Sequence, residues 1–220
     1  GGSNTNDGNS TNGGSNTNGG SGTNGGNGSS DGHIGDECAT TFKDIENHWA
    51  KKEIESVVEK CLFLGTKDNM FNPEGTMSRA MFVTVLHRLE DDKNEYVSKT
   101  FKDVNYNDYY AKPVEWAYKN KLIKGVTSDT FNPHQAITRQ EMAVIMDNYI
   151  NYKNIKLPTV EREPFSDSKQ ISKWAEDSVE AIYEASIMNG RKGNKFDPLA
   201  KSTRAEVAVI LDRFLEKTDK

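Results

Sequence analysis

Three arginines stand at one place in a repeated pattern. Arg79, Arg139 and Arg204 each follow a hydroxyl residue, Ser78, Thr138 or Thr203. Thr138-Arg139-Gln140-Glu141 and Thr203-Arg204-Ala205-Glu206 read as capping boxes. In such a box the hydroxyl accepts from a backbone N–H and the Glu reaches back to the cap residue. Each box therefore predicts a helix start, with Arg at the first helical position. The helix dipole favours negative charge there, so a cation is unfavourable by a few tenths of a kcal/mol up to about 1 kcal/mol. Its recurrence in three copies asks for a reason. A helix N-terminus with free N–H groups plus a guanidinium makes an anion site. The alternative is an internal salt bridge, for instance to the Asp of a Phe-x-Asp motif (Asp44, Asp103 or Asp167) in the same or a neighbouring copy. The sequence leaves both open.

A second recurring set is aromatic. Trp49, Tyr110 and Trp174 fall at the start of another predicted helix in each copy. A ring there commonly plugs the core, but it can also offer a flat face to a sugar. Taken with the repeated Arg, it suggests a ligand with apolar ring faces and a negative charge, as in an acidic polysaccharide. Other chemistry is poorly supported. Asp103 to Asp108 has Asp at the sixth place of a calcium loop and Val114 at the twelfth, where Gly and a bidentate Glu belong. His33, His48, His87 and His134 have no ligand spacing. No nucleophile elbow, phosphate loop or metalloprotease helix is present. Nothing in the repeated set pairs carboxylates for acid/base work. The expectation is a non-enzyme without metal or cofactor.

The elements that position these residues repeat as well. Gly65, Gly125 and Gly190 are each followed six residues later by Phe71, Phe131 or Phe196, then by Pro73, Pro133 or Pro198. The Gly-to-Arg distance is 14 residues in all three copies. Upstream, Phe42, Phe101 and Phe165 each stand two before Asp44, Asp103 or Asp167. Each copy reads as helix, tight loop, helix. Ile54, Val57, Val58, Cys61 and Leu62 follow helical spacing. So do Val114, Ala117 and Tyr118, and Val179, Ile182 and Tyr183. The glycine after each first helix stands where a C-terminal cap calls for positive φ. The second helices show apolar faces at Met142, Ile145, Met146, Tyr149 and Ile150, and at Val207, Ile210, Leu211, Phe214 and Leu215. A unit of about 60 residues is marginal alone, so the copies must share buried surface.

Composition bounds the remainder. Residues 1–30 are Gly, Asn, Ser and Thr with a single Asp. Without an apolar side chain such a stretch cannot offset the entropy of ordering, so a flexible linker is expected. The expected organisation is a linker at 1–35 and repeats at 36–95, 96–158 and 159–220. The net charge of −5 argues against nucleic acid. No run of roughly 18 apolar residues suggests membrane insertion. The chain opens on Gly1 and shows no signal peptide, so it reads as a piece of something longer. Cys38 and Cys61, 23 positions apart, fit no zinc pattern. A disulfide between them would contribute on the order of 3 kcal/mol; two free thiols are the alternative.

Residues from about 40 to 218 resemble three tandem S-layer homology domains. The resemblance rests on the Phe-x-Asp start, the pairs Trp49-Ala50, Tyr110-Ala111 and Trp174-Ala175, the Gly before the Phe-Asn/Asp-Pro turn, and the Thr-Arg-Ala-Glu box. The third copy keeps the box intact, the second has Gln140 for Ala, and the first has Ser78-Arg79-Ala80-Met81, without the Glu. The resemblance implies a mainly α fold, with three helix-loop-helix repeats packed as a pseudo-threefold spindle behind the disordered tail. It implies an exported bacterial cell-surface module. The grooves between its repeats would bind secondary cell-wall polysaccharide on peptidoglycan, often through terminal pyruvylated N-acetylmannosamine. Arg79, Arg139 and Arg204 would be the main anion contacts. Asp44, Asp103, Asp167, Trp49, Tyr110, Trp174, Gly65, Gly125 and Gly190 would shape the grooves. The groove using Arg79 would be the weakest, because its box lacks Glu. N-terminal cargo domains of the parent protein would hang from the tail. The alternative function is a protein–protein assembly or lattice module.

Overall fold

Six α-helices follow one another, with no strand among residues 41–97 and 99–218, which the computed structural model describes. They are α1 (Lys51–Glu59), α2 (Arg79–Glu90), α3 (Ala111–Lys119), α4 (Arg139–Tyr152), α5 (Glu176–Glu184) and α6 (Arg204–Thr218). The Gly/Asn/Ser/Thr stretch and Cys38 lie outside the described residues. Each copy gives a short helix and then a long one, as the periodicity predicts.

The helices do not pair within a copy. α2 packs on α3, α4 on α5, and α6 on α1. The second helix of each copy thus covers the first helix of the next. Short helices are marginal in water and need a packed face; here the neighbour supplies it. Because α6 returns to α1, the copies form a closed ring rather than an open stack. The faces read from the sequence are buried: Ile54, Val57 and Val58 in α1, Val114 and Ala117 in α3, Val179 and Ile182 in α5. In α4 and α6 all ten expected apolar positions are buried. Cys61 departs from the expectation and is exposed. Tyr118 also departs, being 41% exposed.

At the centre, backbone hydrogen bonds close a smaller ring. Met77 N–H donates to Ser202 O at 2.9 Å, Ser202 N–H to Ile137 O at 3.3 Å, and Ile137 N–H to Met77 O at 3.0 Å. All three residues stand two before the box Arg, and all are fully buried. They mark the pseudo-threefold axis.

The glycines work differently from the expectation. Each first helix does end in a left-handed residue, but it is Cys61 (φ 58°), Lys121 (φ 61°) or Ser186 (φ 58°). Paired reverse hydrogen bonds close these ends, such as Leu62 N–H to Val57 O at 3.0 Å and Cys61 N–H to Val58 O at 2.8 Å. Gly65, Gly125 and Gly190 have no positive φ. They are glycine because the chain passes against the ring of the Phe-x-Asp phenylalanine. A Cβ would come within 2.4 Å of Phe42 Cε1 at Gly65, 2.6 Å of Phe101 Cε1 at Gly125, and 3.0 Å of Phe165 Cε1 at Gly190.

Candidate functional site

The three aspartates clamp the turn that follows each glycine. Phe71 N–H donates to Asp44 Oδ1 at 2.8 Å and Asn72 N–H to Oδ2 at 2.6 Å. Asp103 accepts from Phe131 and Asn132 at 2.9 and 2.7 Å. Asp167 accepts from Phe196 and Asp197 at 2.7 and 2.8 Å. The second donor is left-handed each time: Asn72 (φ 58°), Asn132 (φ 60°) and Asp197 (φ 54°). Asn and Asp tolerate that region better than other side chains. The first copy's Phe-x-Asp is therefore a backbone clamp, and so are the other two.

The clamped turn receives the arginine of the preceding copy. Arg79 donates from Nε to Phe131 O at 3.0 Å and from Nη2 to Lys124 O at 3.2 Å. Arg139 donates to Phe196 O at 2.6 Å and Asn189 O at 3.0 Å. Arg204 donates to Phe71 O and Leu64 O, both at 2.8 Å, which closes the circle. Each guanidinium also lies over the Phe ring of the turn, 4.7, 4.9 and 4.6 Å from the centroids of Phe131, Phe196 and Phe71. All three arginines are buried. So the site unit straddles two copies: Arg from one, with the Gly-to-Phe loop from the next.

The free helix N–H groups expected beside these arginines are already taken. Arg79 N–H donates to Gln135 O and Ala80 N–H to Pro133 O. Arg139 and Gln140 do the same to Ala200 O and Pro198 O, and Arg204 and Ala205 to Gly75 O and Pro73 O. Ser78 Oγ accepts from Met81 N–H at 3.1 Å, and Thr138 and Thr203 accept from Glu141 and Glu206. Both glutamates reach back to the cap N–H, at 2.9 and 3.1 Å. Neighbouring carbonyls thus replace the anion that the helix start alone would attract. The internal salt bridge to Asp44, Asp103 or Asp167 does not form either, since those carboxylates hold backbone.

The three junctions differ at one position. Arg79 Nη1 pairs with Glu141 Oε1 at 2.8 Å. At the next junction the corresponding Glu206 pairs with Arg191. No hydrogen bond from Arg139 Nη1 is present among the described residues. Burial, with Arg191 nearby, lowers the Arg139 pKa to about 10, which leaves it charged at neutral pH. At the third junction Met81 stands at the Glu position. The box that lacks the Glu therefore meets Arg204, while Arg79, whose own box lacks it, pairs with the Glu141 of the next box.

The aromatics divide. Trp49 and Trp174 are 65% and 59% exposed, so neither is a core plug. Tyr110 is buried against His134. The alanines that follow, Ala50, Ala111 and Ala175, enter the core instead. A cavity of about 360 Å³ lies over α5 and is lined by Arg162, Phe165, Glu180 and Tyr183 among others. Cys61 is disulfide-bonded. No group of three metal-ligating side chains occurs among the described residues, and no helix there is long and apolar enough to cross a membrane. Sequence reasoning missed Arg191 and His134, because neither repeats.

A ring of three helical repeats, welded at each junction by an arginine that crosses into the next copy, defines a repeat module. The family described as S-layer homology domain matches it three times, at residues 41–81, 100–143 and 164–208. The chain belongs to that family. It is 37% identical over 179 residues to an amylopullulanase of Thermoanaerobacterium thermosulfurigenes, covering 81% of this chain and 10% of that protein. It is 35% identical over 182 residues to exoglucanase XynX of Acetivibrio thermocellus, covering 82% and 17%. A cellulosome-anchoring protein of Acetivibrio thermocellus is 27% identical over 160 residues, covering 70% and 35%. The chain thus spans a tenth to about a third of these relatives. The matched region is that of the S-layer homology repeats, so the activities in those enzymes' names do not carry over to this chain.

Proposed function

We propose that this chain is a cell-wall anchoring module that holds an attached protein at the bacterial surface. It binds an acidic secondary cell-wall polysaccharide, pyruvylated at the recognised end, in the grooves between repeats. Family membership supports the anchoring role, as does likeness to a protein named for cellulosome anchoring. Enzymes among the relatives fit a module carried beside varied cargo.

The observation that carries the glycan reading is the exposure of Trp49 and Trp174 beside buried alanines at helix starts. An indole so placed has an apolar face in water and a rigid mount, which suits stacking on a sugar ring. Arg139 supports the acidic part of the ligand, through the nitrogen its protein neighbours leave unbonded. The test is co-sedimentation of the chain with purified sacculi, beside sacculi stripped of their non-peptidoglycan polysaccharide. Pelleting only with unstripped walls is the expected result. Equal pelleting with both would point to peptidoglycan itself and refute the polysaccharide reading.

A further inference from the structure

Trp49, Tyr110 and Trp174 hold one sequence position in three copies, yet only the two tryptophans face solvent. The cause is one residue after the turn proline. In the second copy that residue is His134; in the others it is Glu74 and Leu199. The Tyr110 hydroxyl lies 3.2 Å from His134 Nε2, and its ring meets His134 edge-on at 5.6 Å and Tyr109 at 5.0 Å. Burial, helped by Asp108, raises the Tyr110 pKa, so the hydroxyl stays protonated. Glu74 instead pairs with His48 at 2.9 Å. Leu199 is 65% exposed and carries no polar group that could hold a ring.

We propose that the module has two sugar-stacking positions rather than three, at Trp49 and Trp174, with the Tyr110 position closed by His134. This rests on the anchoring reading above. The occupant is a sugar ring and not an apolar protein surface, because each indole stands among polar groups. Trp49 lies beside His48, which holds Glu74, with ring centroids 5.3 Å apart. Trp174 follows Lys173, which pairs with Glu176 at 2.6 Å. A sugar places its C–H face on the indole and its hydroxyls on such neighbours. Tyr106 is 75% exposed but sits in the Asn105–Asp108 turn, four residues before the helix-start position.

The test is calorimetric titration of the full chain with a trisaccharide-sized fragment, released enzymatically from wall polysaccharide with its acid-labile pyruvate ketal retained. Two sites per chain are expected. Trp49→Ala and Trp174→Ala each leave one, and the double variant leaves none. Both side chains are exposed, so these variants retain the fold, which circular dichroism checks. Three sites in the wild type, or heat retained by the double variant, overturns the inference while the anchoring reading stands. No heat from the wild type removes both.

Discussion

Replacing Arg139 by alanine separates a structural arginine from a ligand contact. Its guanidinium donates to Phe196 O and Asn189 O, in the next copy, and lies over the Phe196 ring. Hydrogen bonds from a charged donor contribute about 1.5–3 kcal/mol each. A desolvated cation over an aromatic face adds about 2 kcal/mol. Against these stands the cost of burying the guanidinium, which the alanine variant recovers. Deleting the donor leaves two buried carbonyls unsatisfied, at about 1.5–2.5 kcal/mol each and about 3–5 kcal/mol together. Domains of this kind have about 5–15 kcal/mol in total. With a urea m-value of about 2 kcal/mol/M, the midpoint falls by roughly 1.5–2.5 M. Arg139→Lys loses nearly as much, because an ammonium cannot reproduce the two-pronged geometry. The assay is equilibrium urea unfolding of both variants beside wild type. A shift under about 0.5 M with wall binding abolished would refute the weld and make Arg139 chiefly a ligand contact.

Two further outcomes follow from the packing. Gly125→Ala places a Cβ 2.2 Å from Thr127 O and 2.6 Å from Phe101 Cε1, whereas at Gly190 the nearest atom is 3.0 Å away. Gly125→Ala therefore lowers stability by about 1–3 kcal/mol and Gly190→Ala by less, read from urea midpoints; the reverse order would contradict the close-approach argument. His87 lies in α2 with its ring edge-on to Trp116 of α3, at 5.1 Å. Burial, then Lys112, lowers its pKa below the ordinary 6.5, against smaller opposing effects of Asp92 and Glu90. A lowered histidine pKa means the unfolded chain takes up the proton first, so this contribution is whole above pH 6.5 and fades as the pH falls. Unfolding midpoints of wild type should drop between pH 7.5 and 5.5, and His87→Gln should flatten that drop; an unchanged slope would assign it to other groups.

Much of the fold was legible because its signals are local. A capping box spans four residues, so Thr138 to Glu141 and Thr203 to Glu206 mark their helix starts unaided. Helical periodicity spans two or three turns, so the apolar faces of α4 and α6 could be read residue by residue. Where a position answers to something distant, the reading went astray. Gly65 follows a helix end, which suggested a cap, but its constraint is the ring of Phe42. Trp49 and Tyr110 look equivalent until His134 folds against one of them.

The sequence by itself determined three equivalent units, their helices and the recurring Arg, Asp and Gly set, since equal spacing carries equal local geometry. It also carried the family, through motifs confined to single copies. Only the tertiary structure decided that each arginine reaches the turn of the neighbouring copy. Arg204 and Leu64 are 140 residues apart, yet they share the hydrogen bond that helps close the ring. Spacing within a copy cannot reveal which copy a side chain reaches, because the three turns offer the same carbonyls and rings. Packing of α6 on α1 brings one of them within reach, and that contact depends on the whole folded chain.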